Sequence, residues 1–387
     1  MAVAGIICEY DPFHLGHLRQ LDLLRAKLGP DTAVVAAMSG HFVQRGMPAA
    51  WDKFVRAEAA VAAGVDLVLE LPLTGVLSSA EGFARAGVRL LDSLGLVDVL
   101  CFGAECGDAG ALMDLAARME TGAFRAALRQ ALDRGLSYAA ARQEAAEDAA
   151  GLLSRPNNIL GLEYCRALRA LGSAMTPLAV ARESDYHALT PDPAQPSASS
   201  LRAMLPGGGW QPYVPPAVAR VLSPAPLYDL SYGERAVLAR LRGMSDAQWQ
   251  RCAHGSEGLW SKAWRASGQA ATVAEWIGLV KSKRYPQTRI QRLLLCAYLG
   301  ITQADLTRPV PYGRILACND RGRRLLRQAK QTGSLPLVNA GAVPPERDYF
   351  QLECRAADLF ALLVEPNRLP CCGSERITPD QLKKKKK

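Results

Sequence analysis

Residues 9–17 read EYDPFHLGH, with His14 and His17 three apart and Gly16 between them. The stretch follows the apolar run AGIICEY directly. Two imidazoles can hydrogen-bond phosphate oxygens and stabilise the charge that develops as pyrophosphate leaves. A glycine lets the backbone approach a nucleotide closely. If a strand runs into a helix here, the helix N-terminus adds free N–H groups and a positive dipole end, which makes a phosphate site. Pro12 and Phe13 shape the turn. The plainer alternative is a pair of histidines that only cap or decorate a helix. Neither a P-loop nor a G-x-G-x-x-G stands at this turn, so P-loop kinase and Rossmann dehydrogenase chemistry lose their main support.

That chemistry needs a strand end and a helix start, and the first hundred residues alternate the two. AGIICEY, TAVVAAMSG, VDLVLELP and VDVLCFGAE read as strands. Residues 17–28, 52–63 and 80–94 carry apolar positions at helical spacing, as at Leu18, Leu21 and Leu24. Near-continuous apolar strands are buried on both faces, which predicts a doubly wound α/β domain with a parallel sheet. Ligands in such sheets sit outside the carboxyl ends of the strands, where EYDPFHLGH lies.

Alanine-rich helical sequence follows from about 109 to 150 and resumes after SRPNNILG. PLAVARESDYH reads as one more strand with its exit loop, and TPDPAQPSASS as a Pro- and Ser-rich loop. A chain of 387 residues suggests two domains. The punctuation GGGWQPYVPP, 207–216, divides an expected nucleotide-binding domain, 1–206, from a mainly helical one, 207–387, with a possible strand near GRILACN.

Charge separates the same two halves. Residues 201–387 hold 29 Lys+Arg against 14 Asp+Glu, while residues 1–200 hold 17 against 23. Between Lys281 and Lys330 twelve basic residues face two acids, interleaved with Tyr285 and Tyr312. Such a stretch suits a polyanion such as RNA, or else a solvated helix face. The terminal run Lys383–Lys387 reads as a frayed solubilising tail. The ten cysteines form no C-x-x-C pair, and Cys8, Cys101, Cys296 and Cys318 lie in apolar surroundings, as suits a reducing compartment. Cys371-Cys372 is the odd pair. No basic leader and no apolar run of about 20 residues is present, so a cytoplasmic protein without a membrane span is expected.

Several motifs in order carry a family resemblance. H-x-G-H at this first turn looks like the nucleotidylyltransferase superfamily, and PSASSLR, 196–202, resembles its second signature, although Pro196 and Ala198 depart from it. EYDPFHLGH, MSGHFVQRGMPA, GVDLVLELP, FGAE, SRPNNILG, RESDYH, KRYPQTRIQRLLL and PYGRILACNDRG together resemble the tRNA(Met) cytidine acetate ligase family over nearly the whole chain. The resemblance implies an enzyme that activates acetate with ATP, with Mg²⁺ expected alongside, as acetyl-adenylate. It then passes the acetyl group to the exocyclic amine of the wobble cytidine of elongator tRNA(Met), giving N4-acetylcytidine.

Carried over position by position, the resemblance implies catalytic His14 and His17. It implies an ATP site of Ile7, Cys8, Glu9, Tyr10, Asp11, Pro12, Phe13, His14, Leu15, Gly16, His17, Leu18, Arg19 and Gln20, joined by Gly103, Asn157, Arg182, Ser199 and Arg202. Ser197 keeps a second hydroxyl, and Asn158 adjoins Asn157. In the basic half, Lys281, Lys283, Arg284 and Arg289 are expected to contact tRNA, with Arg321, Arg323, Arg324 and Arg327 as the other candidate face. MSGHFVQRGMP also leaves a strand end, so His41, Gln44, Arg45, Lys53 and Arg56 are expected at the same crevice, and Glu70 in a structural role. No metal cage is expected. A pantothenate synthetase-like small-molecule ligase is the enzymatic alternative, which the basic second half disfavours. An RNA-binding protein with a degenerate nucleotide domain is the other, which intact His14, Gly16 and His17 disfavour.

Overall fold

The computed structural model describes residues 1–182, 196–368 and 373–376. Residues 183–187 of RESDYH, the pair Cys371-Cys372 and the run Lys383–Lys387 lie outside the described residues.

Among the described residues nine strands follow in chain order: β1 Val3–Cys8, β2 Ala33–Ser39, β3 Phe42–Val43, β4 Met47–Pro48, β5 Leu67–Leu71, β6 Val99–Ala104, β7 Thr176–Ala181, β8 Gly313–Cys318 and β9 Leu337–Asn339. Seven form one sheet in the order β7-β6-β1-β2-β5-β8-β9, and β3 and β4 make a separate hairpin. From β7 to β5 every pairing is parallel. Strands β1, β2 and β5 are buried at every position, which is why VAGIIC and AVVAAMS read as unbroken apolar runs. The chain moves from β1 to β2 and β5 on one side and later to β6 and β7 on the other. The order therefore reverses between β1 and β6, and the crevice at their carboxyl ends is the place for a ligand.

The second half is mainly helical, and it also completes the sheet. β8, the strand expected near GRILACN, lies antiparallel to β5 with Arg314 opposite Glu70, and β9 lies parallel to β8. The second half therefore splits into two parts. Helices between 234 and 299 build their own core around Trp249 and Trp276, with Phe42 and Leu77 of the first half inserted into it. Residues 313–339 return to the sheet, and Leu325 and Ala329 of the helix Asp320–Thr332 join the core on one of its faces. The hairpin is a further seam. Gly46, at φ 81°, sits where a Cβ would run into the backbone of Gln291 and Arg292, and Arg292 donates to the Gln44 carbonyl at 3.2 Å. The short loop of MSGHFVQRGMP is thus held against the basic helix Gln287–Leu299. No helix among the described residues is long and apolar enough to cross a membrane.

Candidate active site

β1 ends in a sharp turn. Tyr10 has φ 44°, a left-handed conformation that side-chain-bearing residues rarely adopt, and Asp11-Pro12 is cis. Tyr10 packs edge-on against both Phe13 and His17, and Phe13 is buried beneath the turn. His14 is the N-cap of the helix Leu15–Leu28. The two imidazoles stack with centroids 3.7 Å apart, and the backbone N–H of His14 donates to His17 Nδ1 at 3.2 Å. Since Nδ1 accepts, the neutral His17 ring carries its proton on Nε2. A Cβ on Gly16 would press on the His14 ring at 3.0 Å, so the glycine gives that ring its place. His14 Nδ1 is buried without a partner among the described residues. Burial, with Arg182 and Arg202 nearby, pushes His14 down to about 3. Burial and the neighbouring His14 push His17 well below the usual imidazole range. Both rings are neutral at pH 7, which lets them stack without repulsion and offer N–H donors to an anion.

Three guanidiniums face the same cleft. Arg45, from the β3–β4 hairpin, donates to Ser199 Oγ at 3.2 Å, and Arg202 reaches the same oxygen at 3.4 Å. Arg202 also donates to the Asp11 carbonyl at 2.9 Å, which ties the helix Ala198–Met204 to the β1 turn. Arg182, at the exit of β7, lies over Gly103 and donates to Asn157 Oδ1 at 3.4 Å. Ser197 serves as the N-cap of its helix, accepting from the Ser200 N–H at 3.1 Å. Of the three serine hydroxyls in PSASSLR, that of Ser199 is the one held among the cations.

The carboxylates are tied down. Glu9 accepts the Gln44 N–H at 2.6 Å, and burial raises its pKa against the pull of Arg202 and Arg45. Asp11 accepts the Ala50 N–H at 2.8 Å. Glu105 accepts from Asn157 Nδ2 at 2.8 Å and from the backbone N–H groups of Asn157 and Asn158 at 3.2 and 2.8 Å. A carboxylate thereby closes the N-terminus of the helix Pro156–Leu171 and braces the side chain that meets Arg182. Burial pushes the Cys8 thiol up, so no thiolate stands in the cleft at neutral pH. Among the described residues no group of three or more His, Cys, Asp or Glu side chains is placed to hold a metal ion.

Of the residues expected at an ATP site, Ile7, Cys8, Glu9, Tyr10, Asp11, His14, His17, Gln20, Gly103, Asn157, Arg182, Ser199 and Arg202 line this cleft. Gly16 and Arg19 face a small side recess that shares His17, Gln20, Gly103 and Arg182. Leu18 packs on the core beneath, and Pro12 and Leu15 only shape the turn and start the helix. At Gly103 a Cβ would meet the Arg182 stem at 2.5 Å, so the missing side chain lets that arginine lie across the cleft. Asn157 is not the N-cap of its helix, which begins at Pro156 behind Arg155. Glu105, Phe83 and Tyr164 also belong to the site and were not singled out. Glu105 is the last letter of FGAE and could have been found; Phe83 and Tyr164 look like ordinary core residues of a helix.

Three expectations at the second strand exit do not hold. His41 is buried against Phe360, with Asp52 at 3.7 Å and Glu375 at 3.9 Å. Lys53 is paired with Glu70 at 2.6 Å and with Glu375. Arg56 is spent on backbone carbonyls, those of Glu9, Ser39, Gly40 and Trp51. Partners from the far end of the chain hold His41 and Lys53, and nearby carbonyls of the first half hold Arg56. Gln44 and Arg45 do face it. In the basic half, Lys281, Lys283 and Arg284 are exposed at the turn before Gln287–Leu299. Arg289 is only 20% exposed and braces a loop, donating to His254 O at 3.2 Å, Ser256 Oγ at 2.8 Å and Glu257 at 3.2 Å. Arg323, Arg324 and Arg327 are exposed on the helix that flanks the sheet, and Arg321 is half-buried beside Asp31.

Known proteins resemble this chain along nearly its whole length. The family model described as HIGH Nucleotidyl Transferase matches residues 1–371. A tRNA(Met) cytidine acetate ligase from Acetivibrio thermocellus is 35% identical over 97% of this chain and 98% of its own length. One from Syntrophotalea carbinolica is 41% identical over 94% of each. Two crystal structures of Thermotoga maritima TmcAL, both 27% identical to this chain, superpose along 97% of it. The apo form does so with a TM-score of 0.90, and the form bound with alpha-thio ATP with 0.86. By its whole-length family match and these relatives, the chain belongs to the tRNA(Met) cytidine acetate ligase family of the HIGH nucleotidyl transferases.

Proposed function

We propose that this chain is an ATP-dependent ligase that makes acetyl-adenylate and acetylates the N4 amine of the wobble cytidine of elongator tRNA(Met). The observation that carries the reading is the convergence of Arg45, Arg182 and Arg202 with two neutral imidazoles on the open carboxyl end of β1. Three fixed positive charges with imidazole N–H donors match a triphosphate, and they neutralise charge as it moves onto leaving pyrophosphate. An acetate oxygen attacks the α-phosphorus in line and pyrophosphate departs, so no protein nucleophile is needed. The cytidine amine then attacks the acyl carbon of the mixed anhydride; the amide C–N bond forms, AMP leaves and the amine gives up a proton. Holding the reactants in line supplies much of the acceleration.

Mg²⁺ is expected to arrive with the nucleotide, held chiefly by the phosphates and by water. The residues of the cleft build no cage for it, and no step above is routed through it. Lys281, Lys283 and Arg284, exposed and on the basic half, are proposed to meet the phosphates of the tRNA, and Arg289 to hold the loop beside them. The division of labour proposed for residues 1–206 and 207–387 is adenylation in the first and RNA binding in the second, with β8 and β9 serving the sheet. A tRNA substrate supports a cytoplasmic location.

The test supplies labelled acetate, ATP and unmodified tRNA(Met) to the full chain. Label should enter the tRNA with one AMP formed per acetyl group. Efficient acetylation from acetyl-CoA without ATP, or adenylate formation with no label in tRNA, would overturn the reading.

A further inference from the structure

The helix Ala80–Asp92 has two working sides. Phe83 lines the nucleotide cleft, and Gly87 packs on Ile7. The other side, bearing Arg85 and Arg89, is the wall of a separate groove of ≈ 760 Å³ that Arg308, Tyr349 and the segment Pro309–Pro311 close from the second half. The groove continues past Arg85 into a recess of ≈ 330 Å³ where Arg289 and His254 stand. We infer that this groove binds the phosphodiester backbone of the RNA strand whose base enters the adjoining cleft; the inference rests on the function proposed above.

Three observations support it. First, the groove is cationic, with Glu346 and Glu81 as the acids along it. Second, Arg85, Arg89 and Arg308 are loosely held, whereas Arg289 is tied to its loop. Arg85 is exposed and has no hydrogen-bond or ion-pair partner among the described residues. Among the described residues Arg89 and Arg308 have only distant partners, Asp92 at 3.9 Å and Asp305 at 3.8 Å, and Arg308 lies over the Tyr349 ring at 5.3 Å. Guanidiniums stacked on a ring and weakly paired are poised to fork onto phosphate. Third, their layout differs from that of the cleft. There Arg45 and Arg202 converge on one oxygen of Ser199; here Arg85 and Arg89 are four residues apart, about 6 Å along the helix axis, with Arg308 and Arg289 on other elements. Charges spread along a groove suit a repeating polyanion better than one compact anion. The groove and the cleft are separated by the thickness of a single helix, which brings a bound strand alongside the acyl donor.

The experiment compares wild type with Arg85→Gln, Arg308→Gln and the double variant, using unmodified tRNA(Met) transcript. Filter binding across a salt series should show affinity falling and the slope of log affinity against log salt flattening by roughly 0.7–0.9 per lost contact. The double variant should lose at least about tenfold in kcat/KM for tRNA, while acetate-dependent ATP–pyrophosphate exchange stays within about twofold of wild type. Unchanged tRNA affinity and slope in an active double variant would overturn the groove and leave the proposed function standing. Loss of exchange together with tRNA binding would also overturn it, since the arginines would then be supporting the fold. A wild type that makes adenylate yet neither binds nor acetylates tRNA would overturn the function reading, and the groove with it.

Discussion

Two charge-rich clusters lie at the same end of the sheet and have opposite fates. In the nucleotide cleft, Arg45, Arg182 and Arg202 surround open space, and their carboxylates are bound to backbone N–H groups. Beyond β2, Lys53 and Arg314 are packed among Glu70, Glu353 and Glu375, all buried. Arg314 lies 3.2 Å from Glu353, 3.4 Å from Glu375 and 3.5 Å from Glu70, and Tyr312 donates to Glu353. Two cations face three carboxylates there, which leaves one carboxylate to hold a proton near neutral pH; burial pushes Glu70 up to about 7. The same residue types build a binding site where cations are in excess around a void. They build a strut where acids from other segments fill the space. The strut joins β5, β8, the helix Arg347–Ala361 and the turn at Glu375, so it fastens the second half of the chain to the sheet.

The largest expected effect tests the strut. Lys53→Met leaves buried carboxylates short of a cation and should cost about 3–5 kcal/mol in urea unfolding, with little change in the KM for ATP. Adding Glu375→Leu should restore a substantial part of that loss, because both members of the pair are then gone. A stable Lys53→Met variant that no longer binds ATP would erase the distinction between the two clusters.

Next in size is the cleft. His14→Ala and His17→Ala should each lower acetate-dependent ATP–pyrophosphate exchange by about 10²–10³, or about 3 kcal/mol, with unfolding midpoints shifted far less than in Lys53→Met. Exchange that survives in both variants would show that the stacked imidazoles are only a cap.

The smallest effect is a slope with pH. Burial lowers the pKa of His14, His17, His41 and His254, the last to about 4. In the unfolded chain these rings take up protons near pH 6.5, while in the folded protein they do not. Stability therefore falls as the pH drops below about 6.5, and the loss continues until the folded pKa is reached, about 3 for His14. Each ring adds at most about 1.4 kcal/mol per pH unit. The His14→Ala/His17→Ala double variant should show a shallower fall between pH 7 and 5. An identical slope would mean that the pair titrates normally in the fold.

The sequence by itself determined the parallel core and the first turn. Strands buried on both faces must be apolar throughout, and VAGIIC and AVVAAMS are. His14, Gly16 and His17 interact within one helical turn, so their stack is encoded locally. Gly103, Asn157, Arg182, Ser199 and Arg202 could be placed at the cleft through the motifs around them. Only the tertiary structure decided which charges are free to bind a ligand. His41 and Lys53 look like Arg45 in a linear reading, since all three follow β2 and precede the next core segment. What separates them is Glu375, more than three hundred residues along the chain, and Arg314 and Glu353 on elements whose entry into this neighbourhood depends on β8 pairing with β5. Desolvation and ion pairing act through space, between groups whose separation in sequence carries no trace of their contact, and so the division between strut and site appears only once the chain has folded.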